Sequence, residues 1–416
     1  MTILLTIIRI FLSLWWLWLP VFLVAVFIEF WVKYLKAAAV KKINWLLLEV
    51  RIPRNIEKTP KGMEQIFSGL HGALTKIKFL DKYWKGKVQE WFSFEIAGID
   101  GAVYFFIRTP EQFRNLVEAQ IHAQYPDAEI LEVLDYAGPL DKKTPSKTFD
   151  IGGTELVFDK DDFYPIRTYI AFEEKETERR VDPMAAFLEI LAKLKPGENI
   201  FIQYLIAPTA DKEWIAKGQE FINKMLGKKT PVKENWLDRL MGPVDEFIVN
   251  LVKAILIYPI WGEPKKEESR ASLGNLSPGE RDIIEAIENK ISKIAFKISI
   301  RFAYIARSDI FNRANVSAVT GAFKQFNTVN LNAFKGDGKQ GTSADQPFKK
   351  RREYLKKAKF IDRYIKRKFG KKEKVFILNT EELATIYHYP IIVVEAPTMR
   401  RVEAKKAEPP VSLPIG

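Results

Sequence analysis

The chain has 416 residues, of which 47% are hydrophobic and 13% aromatic, so it can bury a folded core and is not a disordered tail. It has no cysteine, which excludes disulfides, thiolate metal sites and a cysteine nucleophile. The formal net charge is +13, and most of this excess lies in one short stretch near the C-terminus.

The N-terminal segment, residues 1–36, has the properties of a transmembrane anchor. The nineteen residues from Ile10 to Ile28 carry no charge, and at ~1.5 Å of rise per residue they would cross the ~30 Å core of a bilayer. Lysines follow this run and only Arg9 precedes it, so the C-terminal part should be cytoplasmic. The alternatives are a cleaved signal peptide and a buried core helix. We expect a single-pass protein of the plasma (inner) membrane, with these tryptophans at the membrane interfaces: Trp15, Trp16, Trp18 and Trp31.

Residues 44–136 alternate strand and helix patterns. Helix-start signals occur at Thr59-Pro60 and at Thr109-Pro110, and a hairpin signal occurs at 97–101. The predicted strands are 45–52, 90–96, 102–108 and 128–134. The order β-α-β-β-α-β is that of a ferredoxin-like domain.

Residues 151–346 repeat this order with an interruption. Helices are predicted to begin at Asp182-Pro183, at Ser277-Pro278 and at Asp309, and Ser277 with Glu280 forms a capping box. The predicted strands are 155–158, 165–172, 199–206, 295–306 and 329–334. The sequence therefore predicts an α+β protein with one N-terminal transmembrane helix followed by two tandem ferredoxin-like (βαββαβ) domains, the second with a helical insertion.

The predicted insertion, residues 211–276, contains amphipathic helices. Apolar residues recur at helical spacing between Val244 and Leu256. Such a stripe suits a helix lying in a membrane interface, or one packed on its own domain or on a partner subunit.

Residues 347–374 form a basic segment. Between Lys349 and Lys374, fourteen Lys or Arg residues stand against three acidic ones, a net charge of +11. This pattern predicts contact with phosphate, either of nucleic acid or of anionic lipid, and the alternative is a solvated helix face. The candidate contacts are Lys349, Lys350, Arg351, Arg352, Lys356, Lys357, Arg363, Lys366 and Arg367.

The C-terminal residues combine a strand and a short helix (375–398) with a proline-rich tail (399–416). Asn379 is the predicted helix cap, and Ile391–Val394 should add to a sheet edge, either of this chain or of a partner. We expect the end of this helix to dock a partner through Glu382, Tyr387, His388, Tyr389 and Pro390.

The sequence shows no sign of an enzyme. Gly336 and Gly341 have the spacing of a phosphate-binding loop, but the required lysine is missing. The three histidines are far apart, and the paired carboxylates are explained by capping and strand ends. We expect no catalytic residue, no metal and no cofactor.

Several strings resemble a known, uncharacterised domain family. They are LSPGE, GAFKQFNTVNLNAF, LNTEELATIYHYP, EAPTMRRVEAKK and PPVSLP, and the resemblance is strongest over 276–414. The family is the membrane-anchored N-terminal region that precedes or accompanies ATPases similar to the type IV secretion and conjugative coupling protein. In fused members the ATPase follows the proline-rich linker, and here the chain ends at Gly416. The resemblance therefore implies that the ATPase is a separate polypeptide.

These observations together predict a non-enzymatic, membrane-anchored subunit of a type IV secretion or conjugation-like transfer machine. It would dock a separate P-loop ATPase at the cytoplasmic face. The alternative is a membrane-tethered nucleic-acid-binding protein that uses residues 349–374. The expected partners are the ATPase, the lipid bilayer, DNA and further copies of the chain.

Overall fold

The structure is a computed structural model, and it describes residues 13–53, 59–146, 148–172, 182–228, 276–369 and 375–390. The chain divides into two compact units. One unit comprises Met1–Ala210 with Lys293–Gly416, and the other comprises Asp211–Ser292.

The larger unit is built on strands, and helices connect them. The strands are β1 (Trp45–Arg51), β2 (Phe92–Ile99), β3 (Ala102–Pro110), β4 (Glu129–Glu132), β5 (Phe149–Phe158), β6 (Glu198–Pro208), β7 (Ala295–Arg307), β8 (Phe334–Gly336) and β9 (Phe376–Asn379). The α-helices of both units are α1 (Trp15–Lys41), α2 (Lys61–Leu70), α3 (Phe79–Tyr83), α4 (Arg114–Gln124), α5 (Ala185–Ala192), α6 (Glu213–Met225), α7 (Pro278–Ile291), α8 (Arg313–Lys324), α9 (Lys349–Ile365) and α10 (Thr380–Ile386).

The nine strands form one antiparallel sheet in the order β4-β1-β3-β2-β6-β7-β5-β8, and β9 pairs with β7. The prediction of two tandem ferredoxin-like domains is wrong, because this sheet is continuous across the predicted boundary. Strand β6, assigned to the second domain, pairs along its length with β2, with Phe94 opposite Tyr204. The segment 165–172, predicted as a strand, instead ends in a 3-10 helix (Tyr169–Phe172).

Alternation along the strands gives the sheet two apolar faces. On the first face Phe94, Tyr204 and Phe302 join the main core, and helices α2, α4, α5, α8 and α10 cover them. On the second face Phe201 and Ala303 join a smaller core. Helix α9 contributes to that smaller core, so the larger unit has helices on both faces of its sheet.

The smaller unit is described at its two ends only. Helix α6 packs against α7, and α7 begins with the predicted capping box: Ser277 Oγ accepts the N–H of Glu280, whose carboxylate accepts the N–H of Ser277. The amphipathic stretch predicted between Val244 and Leu256 lies outside the described residues.

The predicted transmembrane anchor is also wrong. No helix in the described part of the chain is both long enough and apolar enough to cross a bilayer. In α1 only the fourteen residues from Trp15 to Ile28 precede Glu29, and they rise ~21 Å against the ~30 Å needed. The first part of the predicted run, up to residue 12, lies outside the described residues. The predicted single-pass inner-membrane location is therefore not supported. The membrane-interface role predicted for Trp15, Trp16, Trp18 and Trp31 depends on that location, so it is not supported either.

Candidate functional site

The basic segment folds as helix α9, which lies on the second face of the sheet. Phe360, Ile361 and Tyr364 recur at helical spacing and are buried in the smaller core. The first half of the helix has no such residues, and its side chains are mostly exposed. The nine predicted phosphate contacts therefore have different environments along the helix.

At the C-terminal end of α9, Arg367 is completely buried. Its guanidinium donates to both carboxylate oxygens of Glu95, at 2.7 and 3.0 Å, and to both of Asp135, at 2.6 and 2.9 Å. Desolvation by itself would lower the pKa of Arg367, but the charge and hydrogen bonds of Glu95 outweigh it and hold that pKa well above its ordinary value. Arg367 is thus a structural cation that no ligand can reach.

Glu95 belongs to a polar row that crosses the sheet under α9. Directly opposite residues on neighbouring strands are Glu95 and Gln203, Gln203 and Arg301, and Arg301 and Glu155. All four are buried, and Gln203 donates to Glu95 at 3.1 Å. Burial lowers the pKa of Arg301 to about 10, despite the nearby Glu155.

This row holds the C-terminal half of α9 in place. Arg301 donates to the carbonyl oxygen of Arg363 at 2.8 Å, and the Arg363 side chain donates to Glu155 at 2.9 Å. The sheet therefore neutralises Arg363 as well as Arg367. Lys366 pairs with Asp362 on the helix itself, at 2.5 Å.

Other cations of α9 bind the loop before the helix or the neighbouring strand β5. Lys356 donates to the carbonyl oxygens of Gly338 and Ser343, at 3.0 and 2.7 Å, and Lys357 pairs with Asp150. Arg352 donates to the carbonyl oxygen of Asp345 at 3.1 Å. Lys356 and Arg352 thus hold the loop before the helix, and Lys357 joins the helix to β5.

Within α9 as the structure describes it, four cations remain free for a ligand. They are exposed, and among the described residues their side chains have no ion-pair or hydrogen-bond partner. They are Lys349, Lys350, Arg351 and Lys359. Three of the nine predicted contacts are therefore exposed in the first turn of α9, and Lys359, which the sequence analysis omitted, is exposed ten residues further along the helix.

The predicted docking residues lie in the core instead of on the surface. Tyr387 and Tyr389 pack edge-to-face against Phe105, and Pro390 is buried beside them in sequence. His388 is completely buried, with its ring nitrogens 2.8 Å from the carbonyl oxygen of Ala384 and from Asp182.

Glu382 has a structural role too. Its carboxylate accepts the N–H of Asn379 at 3.0 Å, which confirms the predicted helix cap. It also accepts the N–H of Ile166 at 2.9 Å. None of the five residues is accessible to a partner in this fold. The predicted sheet-edge strand Ile391–Val394 and the proline-rich tail lie outside the described residues.

The residues that sequence reasoning missed had a recognisable signal. Glu95, Gln203 and Arg301 each stand in a mostly apolar run, in FSFEI, IFIQYLI and ISIRFAYI. A charged or amide side chain in such a strand must have a buried partner. The partner itself could not be named from the sequence.

Comparison with known proteins places the chain in a family without a known activity. Residues 35–401 match the DUF8128 family, described as a domain of unknown function. The chain belongs to this family. No curated protein matches the DUF8128 chain. Nothing in these comparisons links it to secretion or conjugation, and association with a separate ATPase or with further copies stays a prediction from the sequence.

Proposed function

We propose that this DUF8128 protein is a non-enzymatic nucleic-acid-binding protein whose contact surface is the exposed first half of α9. The observation that carries the proposal is the division of charge along the helix. Arg363 and Arg367 are neutralised by buried carboxylates, whereas Lys349, Lys350 and Arg351 are exposed and have no acidic partner in the described part of the chain. When such unpaired cations contact phosphates, they displace the counterions condensed on the nucleic acid, and this release favours binding.

The length of the surface suits a nucleic-acid strand. From Lys349 to Lys359 the helix rises ~15 Å. A nucleic-acid strand carries one phosphate per ~3.4 Å of helix axis, so this length matches about four phosphates. The surface also stands on a rigid base, because the sheet holds the other end of the helix.

The test measures binding of a fluorescent oligonucleotide to the full chain by anisotropy at 50 and 200 mM salt. Four contacts with single-stranded DNA predict a log–log salt slope of about −2.8, which is a loss of roughly 50-fold between these concentrations. A variant with glutamine at the four free cations should lose this binding at low salt. The substitutions are Lys349→Gln, Lys350→Gln, Arg351→Gln and Lys359→Gln.

A matched control separates a local surface from general net charge. The control replaces four exposed lysines outside α9 and therefore lowers the net charge by the same four units as the α9 variant. Its substitutions are Lys193→Gln, Lys195→Gln, Lys324→Gln and Lys335→Gln. Binding by this control should equal that of the wild type within about twofold. The proposal fails if the control weakens binding as much as the α9 variant does, or if the wild type does not bind at 50 mM salt. It also fails if phosphatidylglycerol vesicles, and not the oligonucleotide, show the dependence on the four cations.

A further inference from the structure

Resting on the proposed function, we infer that the ligand is a single strand and that Phe348 and Tyr354 stack on its bases. The first observation is the exposure of Phe348, whose side chain is 79% accessible immediately before α9. Its backbone has φ 58° and ψ 37°, in the left-handed region that a bulky residue rarely occupies. An apolar ring in a strained and solvated position is unfavourable for folding, and such positions often have a functional role.

The loop that presents Phe348 is held in place. The carbonyl oxygen of Phe348 accepts the N–H of Arg352 at 3.1 Å. The Arg352 guanidinium also donates to the carbonyl oxygens of Asp345 and Gln346, at 3.1 and 3.4 Å. The backbone on both sides of the ring is therefore anchored, so the Phe348 side chain projects from a fixed point at the start of α9.

A second aromatic side chain lies on the same exposed half of the helix. Tyr354 is 49% accessible, and it follows Phe348 by six residues, which is ~9 Å along the axis. Lys349, Lys350 and Arg351 lie between the two rings in sequence and have no acidic partner among the described residues. Cations that follow the backbone, together with rings that stack on bases, are the combination found in proteins that bind single strands.

The same arrangement discriminates against a duplex. In a duplex the faces of the bases are covered by their neighbours, so exposed rings on a helix can reach only the phosphates and groove edges. In a single strand each base presents a free face, whatever its identity. The cations should therefore contact the phosphates of both ligands, whereas the rings should stack only on the bases of the single strand.

The experiment compares a single strand and a duplex of equal length, both bound to the full chain. Phe348→Asn removes the ring at a backbone conformation that asparagine tolerates well, and Tyr354→Gln removes the second ring with a good helix former. Each change should weaken single-strand binding about tenfold, equivalent to ~1.4 kcal/mol, and leave duplex binding and the salt slope unchanged. Phe348→Trp should retain the wild-type affinity.

Leu355 supplies a control on the same helix. Its exposure, 49%, equals that of Tyr354, but it has no ring to stack. Leu355→Gln should leave binding of the single strand unchanged within about twofold.

The outcomes separate this inference from the proposed function. If the cation variant loses binding while Phe348→Asn and Tyr354→Gln bind both ligands like the wild type, stacking is overturned and the proposed function stands. If Leu355→Gln weakens binding as much as Tyr354→Gln, the surface is merely apolar and stacking is again overturned. Equal losses for single strand and duplex would have the same consequence. If the wild type binds neither ligand, both proposals fail.

Discussion

Replacing Arg367 by methionine tests whether the end of the basic helix is structural. The change removes a completely buried guanidinium and leaves Glu95, also completely buried, without its ion-pair partner. Ser93, Tyr136 and Gln203 would still donate hydrogen bonds to the Glu95 carboxylate. They would not neutralise its charge.

The expected loss is large, because a buried charge without its partner typically costs ~3–5 kcal/mol of the free energy of unfolding. Adding Glu95→Gln to Arg367→Met should recover about 2 kcal/mol or more, since the second change removes the unpaired charge. Lys359→Met removes an exposed cation from the same helix and should change stability by less than ~0.5 kcal/mol.

The assay is equilibrium unfolding in urea followed by tryptophan fluorescence, with the difference in unfolding free energy as the readout. Oligonucleotide affinity is measured in parallel. Arg367→Met should lower stability and leave the affinity of the remaining folded protein unchanged. A variant that stays within ~1 kcal/mol of the wild type but binds the oligonucleotide more weakly would refute the structural role, since Arg367 would then face the ligand.

Three further changes test other parts of the fold. Burial would raise the pKa of Asp135, but the hydrogen bonds and charge of Arg367 outweigh it and lower the pKa below 3.8. The stabilisation is therefore complete above that pH and is lost as pH falls through the folded-state pKa, so Asp135→Asn should cost most near pH 7 and least near pH 3 in urea unfolding. Glu382→Ala leaves two buried N–H groups without an acceptor and should cost roughly 2–4 kcal/mol in the same assay. Gly153→Ala would place a Cβ 2.2 Å from the carbonyl oxygen of Phe302, so the backbone must shift, and the midpoint of thermal unfolding should fall by the equivalent of ~1–3 kcal/mol.

Each of these three predictions has a result that would contradict it. A constant difference between wild type and Asp135→Asn from pH 3 to 7 would show that its ionisation does not contribute. Wild-type stability in Glu382→Ala would mean that water reaches the helix cap. An unchanged midpoint for Gly153→Ala would mean that β5 and β7 can separate there without loss.

Local chemistry was enough to predict many elements. The capping boxes at Ser277 and Asn379 depend on side chains three residues apart, and the structure contains both. The hairpin at 97–101 also depends on neighbouring residues only, and it joins β2 to β3. Interactions within one turn leave a recognisable pattern in the sequence.

Strand β5 shows where local patterns fail. Gly152 and Gly153 are typical of a turn, yet they lie within a ten-residue strand. They are accommodated there because Gly153 closely approaches the backbone of β7, a neighbour about 150 residues away. The order of strands in the single sheet likewise depends on pairings such as β2 with β6, which alternation along one strand does not encode.

Which charges of α9 are exposed also depends on distant parts of the chain. Lys349 and Arg367 belong to one basic run, and nothing in their immediate neighbours distinguishes an exposed cation from a buried one. The distinction comes from Glu95, which is 272 positions from Arg367 and is brought beneath the helix only by the folded sheet. The sequence was therefore enough to predict a basic helix, which the structure contains as α9. Only the tertiary structure decided which of its cations are buried or paired, because burial and ion pairing depend on contacts between distant parts of the chain.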